Sequence, residues 1–154
     1  MKRISPFLVG VLLTVATASA LADSPGAPSS PAHATLFHTV ELRKTSLGKV
    51  LVNSAGSILY VFTKDGKKKD TCAAISGCLT TWPALPVQGK PSAGPGVRAS
   101  QLSTIPLPEG GSQVTYAGHP LYIYAEAPTS TSYAGTRQFG GTWDAVNAKG
   151  QAVK

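Results

Sequence analysis

The stretch LVNSAGSILYVFTKD, residues 51–65, decides the fold, because it recurs 62 positions later as QVTYAGHPLYIYAEA, residues 113–127. Without a gap, Val52 falls on Val114, Ala55 on Ala117, Gly56 on Gly118, Leu59 on Leu121 and Tyr60 on Tyr122, while Phe62 meets Tyr124. One position of slippage later, Trp82, Ala84 and Gly89 fall on Trp143, Ala145 and Gly150. The chain carries two copies of one unit of about 60 residues, and an internal repeat outranks local patterns as a guide to architecture.

Each copy reads as a strand, a turn at Ala-Gly, an aromatic strand, a long loop and a Trp-bearing strand. Side chains alternate across a strand, so Leu59, Val61 and Thr63 face one side and Tyr60 and Phe62 the other, with Tyr122 and Tyr124 sharing a face in the second copy. Short β-type runs bounded by Gly, Asn, Ser and Pro cover 36–42, 49–52, 58–63, 112–116, 121–125, 142–146 and 151–153. The last two are joined by the turn Asn147-Ala148-Lys149-Gly150, and the best helical candidate is one turn near 98–103. With 16 Gly and 12 Pro in 154 residues a helical bundle is disfavoured. The expected fold is all-β: one domain, 36–154, of two tandem repeats (about 36–90 and 97–152), packed as a small sandwich or barrel with pseudo-two-fold symmetry.

The first 22 residues have the layout of a secretory signal peptide: basic Lys2 and Arg3, an apolar run over 7–15, and Ala20-Leu21-Ala22 before a cleavage point after Ala22. The apolar run is too short for a good membrane span, and no cysteine near the cleavage point offers a lipid attachment site. Residues 23–35, rich in Pro, Ser, Ala and Gly, read as a flexible segment. The expectation is an exported, unanchored protein, periplasmic or extracellular, of 154 − 22 = 132 residues and net charge 12 − 7 = +5. Only 14% of residues are charged, which excludes a charged disordered tail or a highly charged coiled coil.

Few residues offer chemistry. Cys72 and Cys78 occur in the first copy alone, and in an oxidising compartment an even pair reads as one disulfide, whose small loop contributes about 2 kcal/mol. Their spacing is neither that of thioredoxin-like redox sites nor that of common zinc sites. Asp65 precedes Gly66 in a strong turn pair, where it either caps backbone amides or acts as a binding carboxylate beside Tyr60. Tyr60, Trp82, Tyr122 and Trp143 sit at equivalent places in the two copies, as a core seam or as a stacking platform for a ligand. Lys67, Lys68 and Lys69 form a basic tip suited to a polyanion, with no aromatic-interleaved nucleic-acid motif beside them. The weak alternative for a metal is a site assembled in space from His38 and His119. No nucleophile elbow, P-loop, dinucleotide fingerprint or paired-histidine metalloprotease motif is present, so neither catalysis nor a cofactor is expected.

The segments LYVFTKD (59–65), TWPAL (81–85) and QVTYAGHPLYIY (113–124), together with Cys72 and Cys78, resemble the bacterial secreted-repeat family, whose hallmark is Tyr, four residues, then Asp. Many members are described as lipoproteins, and the family has no assigned biochemical function. The resemblance spans about 44–150 and implies export and a duplicated module, but no activity. Two departures stand out: Tyr122 is followed by Ala127 where the pattern expects Asp, and the lipid-attachment cysteine is missing. The functional expectation is a non-catalytic binding or scaffolding module of the cell envelope, acting on an envelope component or small ligand through a face around Tyr60 and Asp65. Its rivals are a redox- or metal-handling accessory using Cys72 and Cys78, and a weak polyanion binder using Lys67 to Lys69.

Overall fold

A computed structural model gives the structure of residues 39–126 and 131–154. The signal peptide, the segment 23–35, His38 and Ala127 lie outside the described residues. The strands in chain order are β1 (Glu41–Thr45), β2 (Gly48–Val52), β3 (Tyr60–Phe62), β4 (Pro86–Val87), β5 (Leu102–Pro106), β6 (Ser112–Tyr116), β7 (His119–Pro120), β8 (Thr136–Gln138), β9 (Gly141–Val146) and β10 (Ala152–Val153). One α-turn, α1 (Cys78–Thr81), and two 3-10 turns, Cys72–Ala74 and Ala99–Gln101, complete the chain. The fold is all-β as expected, in antiparallel sheets that form a sandwich-like arrangement with no closed barrel among the described residues.

The centre of the molecule follows from the repeat. Tyr60 and Tyr122, equivalent by the 62-residue shift, donate to each other's carbonyls at 2.9 and 3.0 Å. On its far side Tyr60 pairs with Ala145 of β9, and on its far side Tyr122 pairs with Ala84. The lateral order Ala84, Tyr122, Tyr60, Ala145 reads the same from either end once the repeat offset is applied, so a pseudo-two-fold axis passes between the two tyrosines. Period-two alternation then divides the interior. Tyr60, Phe62, Tyr122, Trp82 and Trp143 fall on one side with Val50 and Val52, whereas Leu59, Leu121, Leu51, Leu85, Val114 and Val146 fall on the other.

The structure shifts several expected boundaries. The run expected over 36–42 continues as β1 to Thr45 and turns at Gly48 (φ +91°) into β2; exposed Arg43 and Lys44 on that outer strand had the composition of a loop. The run at 121–125 forms isolated bridges rather than a strand, because Tyr122 is held from both sides and Ala125 then donates to Thr81. β5 was not expected, its Pro106 and flanking polar residues having masked a pairing with all of β6.

The aligned glycines Gly56 and Gly118 do not close the same turn. Asn53 accepts the amides of Ala55 and Ser57 on its Oδ1, and Gly56 occupies the left-handed region in a three-residue loop. The same arrangement recurs at Asn147, whose Oδ1 accepts the amides of Lys149 and Gln151, with Gly150 in the position of Gly56. In the second copy Thr115 replaces Asn53, β6 runs two residues further, and Ala117 and Gly118 (φ +51° and +84°) make a two-residue turn of the kind that suits a twisted hairpin.

Candidate functional site

Asp65 leaves β3 immediately after Phe62, Thr63 and Lys64, at the edge of the aromatic core. Its Oδ1 accepts the Thr71 amide at 2.7 Å, and its Oδ2 accepts the Tyr122 hydroxyl at 2.7 Å. The carboxylate of the first repeat is thereby bonded to the tyrosine of the second. Burial pushes Asp65 up to about 6, against the opposing pull of the Tyr122 and Thr71 hydrogen bonds, and neighbouring Asp70 adds to the rise. Burial and the nearby Asp65 carboxylate hold the Tyr122 hydroxyl far above its ordinary range, so it acts as a donor throughout accessible pH.

The symmetric half of this arrangement is built differently. The backbone amide that corresponds to Thr71, offset by 62, is that of Tyr133, and it donates to the hydroxyl of Tyr60 at 3.0 Å. With Ala127 in the sequence where the pattern expects Asp, the tyrosine hydroxyl itself accepts that amide. Burial raises Tyr60 as well, so it too stays protonated.

Between these two clasps the rings form a column. Phe62 stacks on Trp143 at 4.2 Å and Trp143 on Trp82 at 4.2 Å with planes 1° apart, while Tyr124 meets Trp82 at 4.7 Å and Tyr133 at 4.3 Å with tilted planes. Tyr60 meets Trp82 edge-on at 5.2 Å and Tyr122 meets Trp143 edge-on at 5.1 Å, each pair the image of the other. The centre of the column is interior, with Tyr60 1% exposed and Trp82, Tyr122 and Trp143 0% exposed, whereas Tyr124 and Tyr133 at its end are partly buried. Of the expected binding face around Tyr60 and Asp65, the rings are therefore packed against one another and not presented outward. Alternation predicted which side they share, but whether that side is covered depends on the second repeat folding over the first.

Asymmetry continues at the tryptophans. Trp82 Nε1 donates to Gln138 Oε1 at 2.8 Å, while the buried Nε1 of Trp143 has no partner among the described residues. Cys72 and Cys78 are joined in a disulfide, with Cα atoms 5.4 Å apart, and both are fully buried beside this column. The bond ties the short turn Cys72–Ala74 to the first residue of α1, and neither element had a sequence signature. No free thiol exists among the described residues. His119 is partly exposed on β7, and among the described residues no three His, Cys, Asp or Glu side chains converge for a metal.

The segment KDGKKKD, residues 64–70, separates its charges. Asp65 points inward as described, and Asp70 Oδ1 accepts the Ala73 amide at 2.8 Å. Lys64, Lys67, Lys68 and Lys69 are exposed and make no ion pair among the described residues, where the ion pair found joins Arg43 to Glu41. The turn is fixed rather than loose: Lys69 donates to Gly66, and Lys68, in the left-handed region, donates to the Gly118 carbonyl of the other repeat at 2.7 Å. Lys64 extends over Gly140, in the hairpin that also carries exposed Arg137. One end of the molecule thus presents positive charge whose carboxylate neighbours are turned inward.

Residues 41–85 match the model of a family described as a secreted repeat of unknown function. The match runs from the start of β1 to Leu85, which is the first repeat rather than the wider span over which the motifs resemble that family. No curated protein and no solved structure matches the chain. No helix among the described residues is long and apolar enough to cross a membrane.

Proposed function

Taking residues 41–85 as a secreted repeat of unknown function, we propose that the chain is an exported, non-catalytic binding module that docks onto a phosphate-bearing polymer of the cell envelope through the ridge formed by Lys64, Lys67, Lys68 and Lys69. The observation that supports this reading is the separation of charge within 64–70: both acidic residues accept backbone or tyrosine hydrogen bonds while the exposed lysines have no ion-pair partner among the described residues. The motif residues Tyr60, Tyr122 and Asp65 serve the join between repeats, which leaves recognition to the outside of the fold. A rigid turn holds the lysines together, so a polyanion meets them without first ordering a loop. Attraction of this kind is screened within about 8 Å at physiological salt.

The test is binding of long-chain polyphosphate to the mature protein, followed by fluorescence anisotropy at increasing salt. Affinity should fall steadily with salt, and the combined Lys67→Ala, Lys68→Ala and Lys69→Ala variant should bind at least ~10-fold more weakly while keeping its melting temperature, at roughly 1 kcal/mol or less per surface cation. Salt-independent binding, full affinity in the triple variant, or binding to anionic lipid vesicles alone would each count against the proposal.

A further inference from the structure

The five tyrosines of the chain fall into two groups. Tyr60, Tyr116 and Tyr122 are buried, and their hydroxyls are committed to the Tyr133 amide, the Ala148 carbonyl and the Asp65 carboxylate respectively. Tyr124 and Tyr133 are partly exposed, and neither hydroxyl has a hydrogen-bond partner among the described residues. Their rings lie against each other, with centroids 4.3 Å apart and planes tilted by 39°. Both are anchored from behind: Tyr133 donates its amide to Tyr60, and Tyr124 rests on the fully buried Trp82 at 4.7 Å. Two phenols are thus held in contact at a place open to the outside, and the lysine ridge does not involve them.

The repeat shows what this pair stands in for. With an offset of 61 or 62, Tyr133 falls on Cys72 or Thr71, and Tyr124 falls on Phe62. In the first copy the chain after the aromatic strand is braced by the hydrogen bond from Thr71 to Asp65 and by the Cys72–Cys78 disulfide. The second copy has neither Asp nor Cys at the matching places, and the two rings meet across the ends of its loop instead. Disulfides form and persist in oxidising surroundings, where two phenols in contact are also open to oxidative joining. We propose that Tyr124 and Tyr133 form a site of oxidative cross-linking, coupled through their Cε carbons as dityrosine by hydrogen peroxide and a haem peroxidase. Each phenol gives up one electron and its hydroxyl proton, and the two phenoxyl radicals combine to make one Cε–Cε bond. The hydrogens on the coupled carbons then move to the oxygens, which restores both hydroxyls and both aromatic rings. The chain loses two hydrogen atoms in all, and one hydrogen peroxide takes them up to become two waters. The bond ties residue 124 to residue 133 in the second repeat as the disulfide ties 72 to 78 in the first.

The experiment treats the mature protein, disulfide intact, with a haem peroxidase and hydrogen peroxide, at a protein concentration low enough that encounters between chains are rare. Cleavage after Arg98 and Arg137 releases residues 99–137 as one peptide that holds Tyr116, Tyr122, Tyr124 and Tyr133. Dityrosine fluorescence in the monomer, loss of two hydrogen atoms from this peptide, and no backbone fragments from breaks between residues 124 and 133 are the expected result. Tyr124→Phe and Tyr133→Phe each keep the ring that packs and remove the phenol, so each should abolish the monomer's dityrosine while leaving the far-ultraviolet circular dichroism as in the parent. The proposal is overturned if the tyrosines stay unmodified, if the link maps to another pair, if dityrosine is confined to dimers, or if it persists in either variant.

Discussion

Replacing Tyr122 by Phe and, separately, Tyr60 by Phe removes the same atom from equivalent positions of the two repeats, yet the consequences should differ in size and in pH dependence. The Tyr122 hydroxyl donates to a carboxylate, a bond worth roughly 1.5 to 3 kcal/mol, whereas the Tyr60 hydroxyl accepts from a neutral amide, worth roughly 0.5 to 1.5 kcal/mol. Asp65 has a folded-state value of about 6 against an ordinary 3.8, so the native protein holds this proton more tightly than the unfolded chain. That linkage stabilises fully below the unfolded value and is lost as pH rises through about 6. Tyr122→Phe removes a donor that favours the ionised form, which raises Asp65 further and makes the loss with rising pH larger. The cost of Tyr122→Phe should thus be about 2 kcal/mol at pH 7.5 and shrink to about 1 kcal/mol at pH 4.5, while that of Tyr60→Phe stays near 1 kcal/mol at both. Urea unfolding followed by tryptophan fluorescence reads these as midpoint shifts of about 1 to 2 M or less, with unchanged slope if the denatured state is unaffected. Equal, pH-independent costs for the two substitutions would refute the inter-repeat clasp.

Asp65→Asn keeps the shape of the side chain and removes its titration, so the variant should lack the fall in stability that the parent shows between pH 4 and 6, measured by the same unfolding curves. Trp82→Phe should cost more than Trp143→Phe, by about 1 kcal/mol, because only Trp82 loses an indole hydrogen bond, to Gln138; thermal melts that rank the two in reverse would contradict the asymmetry. Reducing the Cys72–Cys78 bond should lower stability by about 2 kcal/mol without abolishing the fold, which calorimetry with and without reductant would show.

The repeat made much of this fold readable. A shift of 62 residues identified Tyr60 with Tyr122, and the alternation around them assigned the aromatic and aliphatic sides that the structure shows. What alternation lacks is the other wall: a strand face of Tyr and Phe is equally consistent with a stacking platform and with a buried seam, and the distant Trp82 and Trp143, stacked plane on plane, are what lies against it in the structure. The same limit applies to charge. KDGKKKD reads as a basic tip with two acids in it, and only the structure shows Thr71, Ala73 and Tyr122 drawing those two carboxylates inward.

The axis between Tyr60 and Tyr122 has a further consequence for how such a molecule can vary. If the two repeats were separate, identical chains, any residue near the axis would appear twice, and a change tolerable on one side would have to be tolerable on both. Within a single chain, Asp65 can accept a tyrosine hydroxyl while Ala127 occupies the matching place in the sequence, and a disulfide can brace one loop while its counterpart carries Tyr133. Joining the halves covalently turns one constraint into two that can be altered independently. The lysines of the ridge all belong to the first half, steadied by the Gly118 carbonyl of the second, and that arrangement does not have to be repeated on the opposite side.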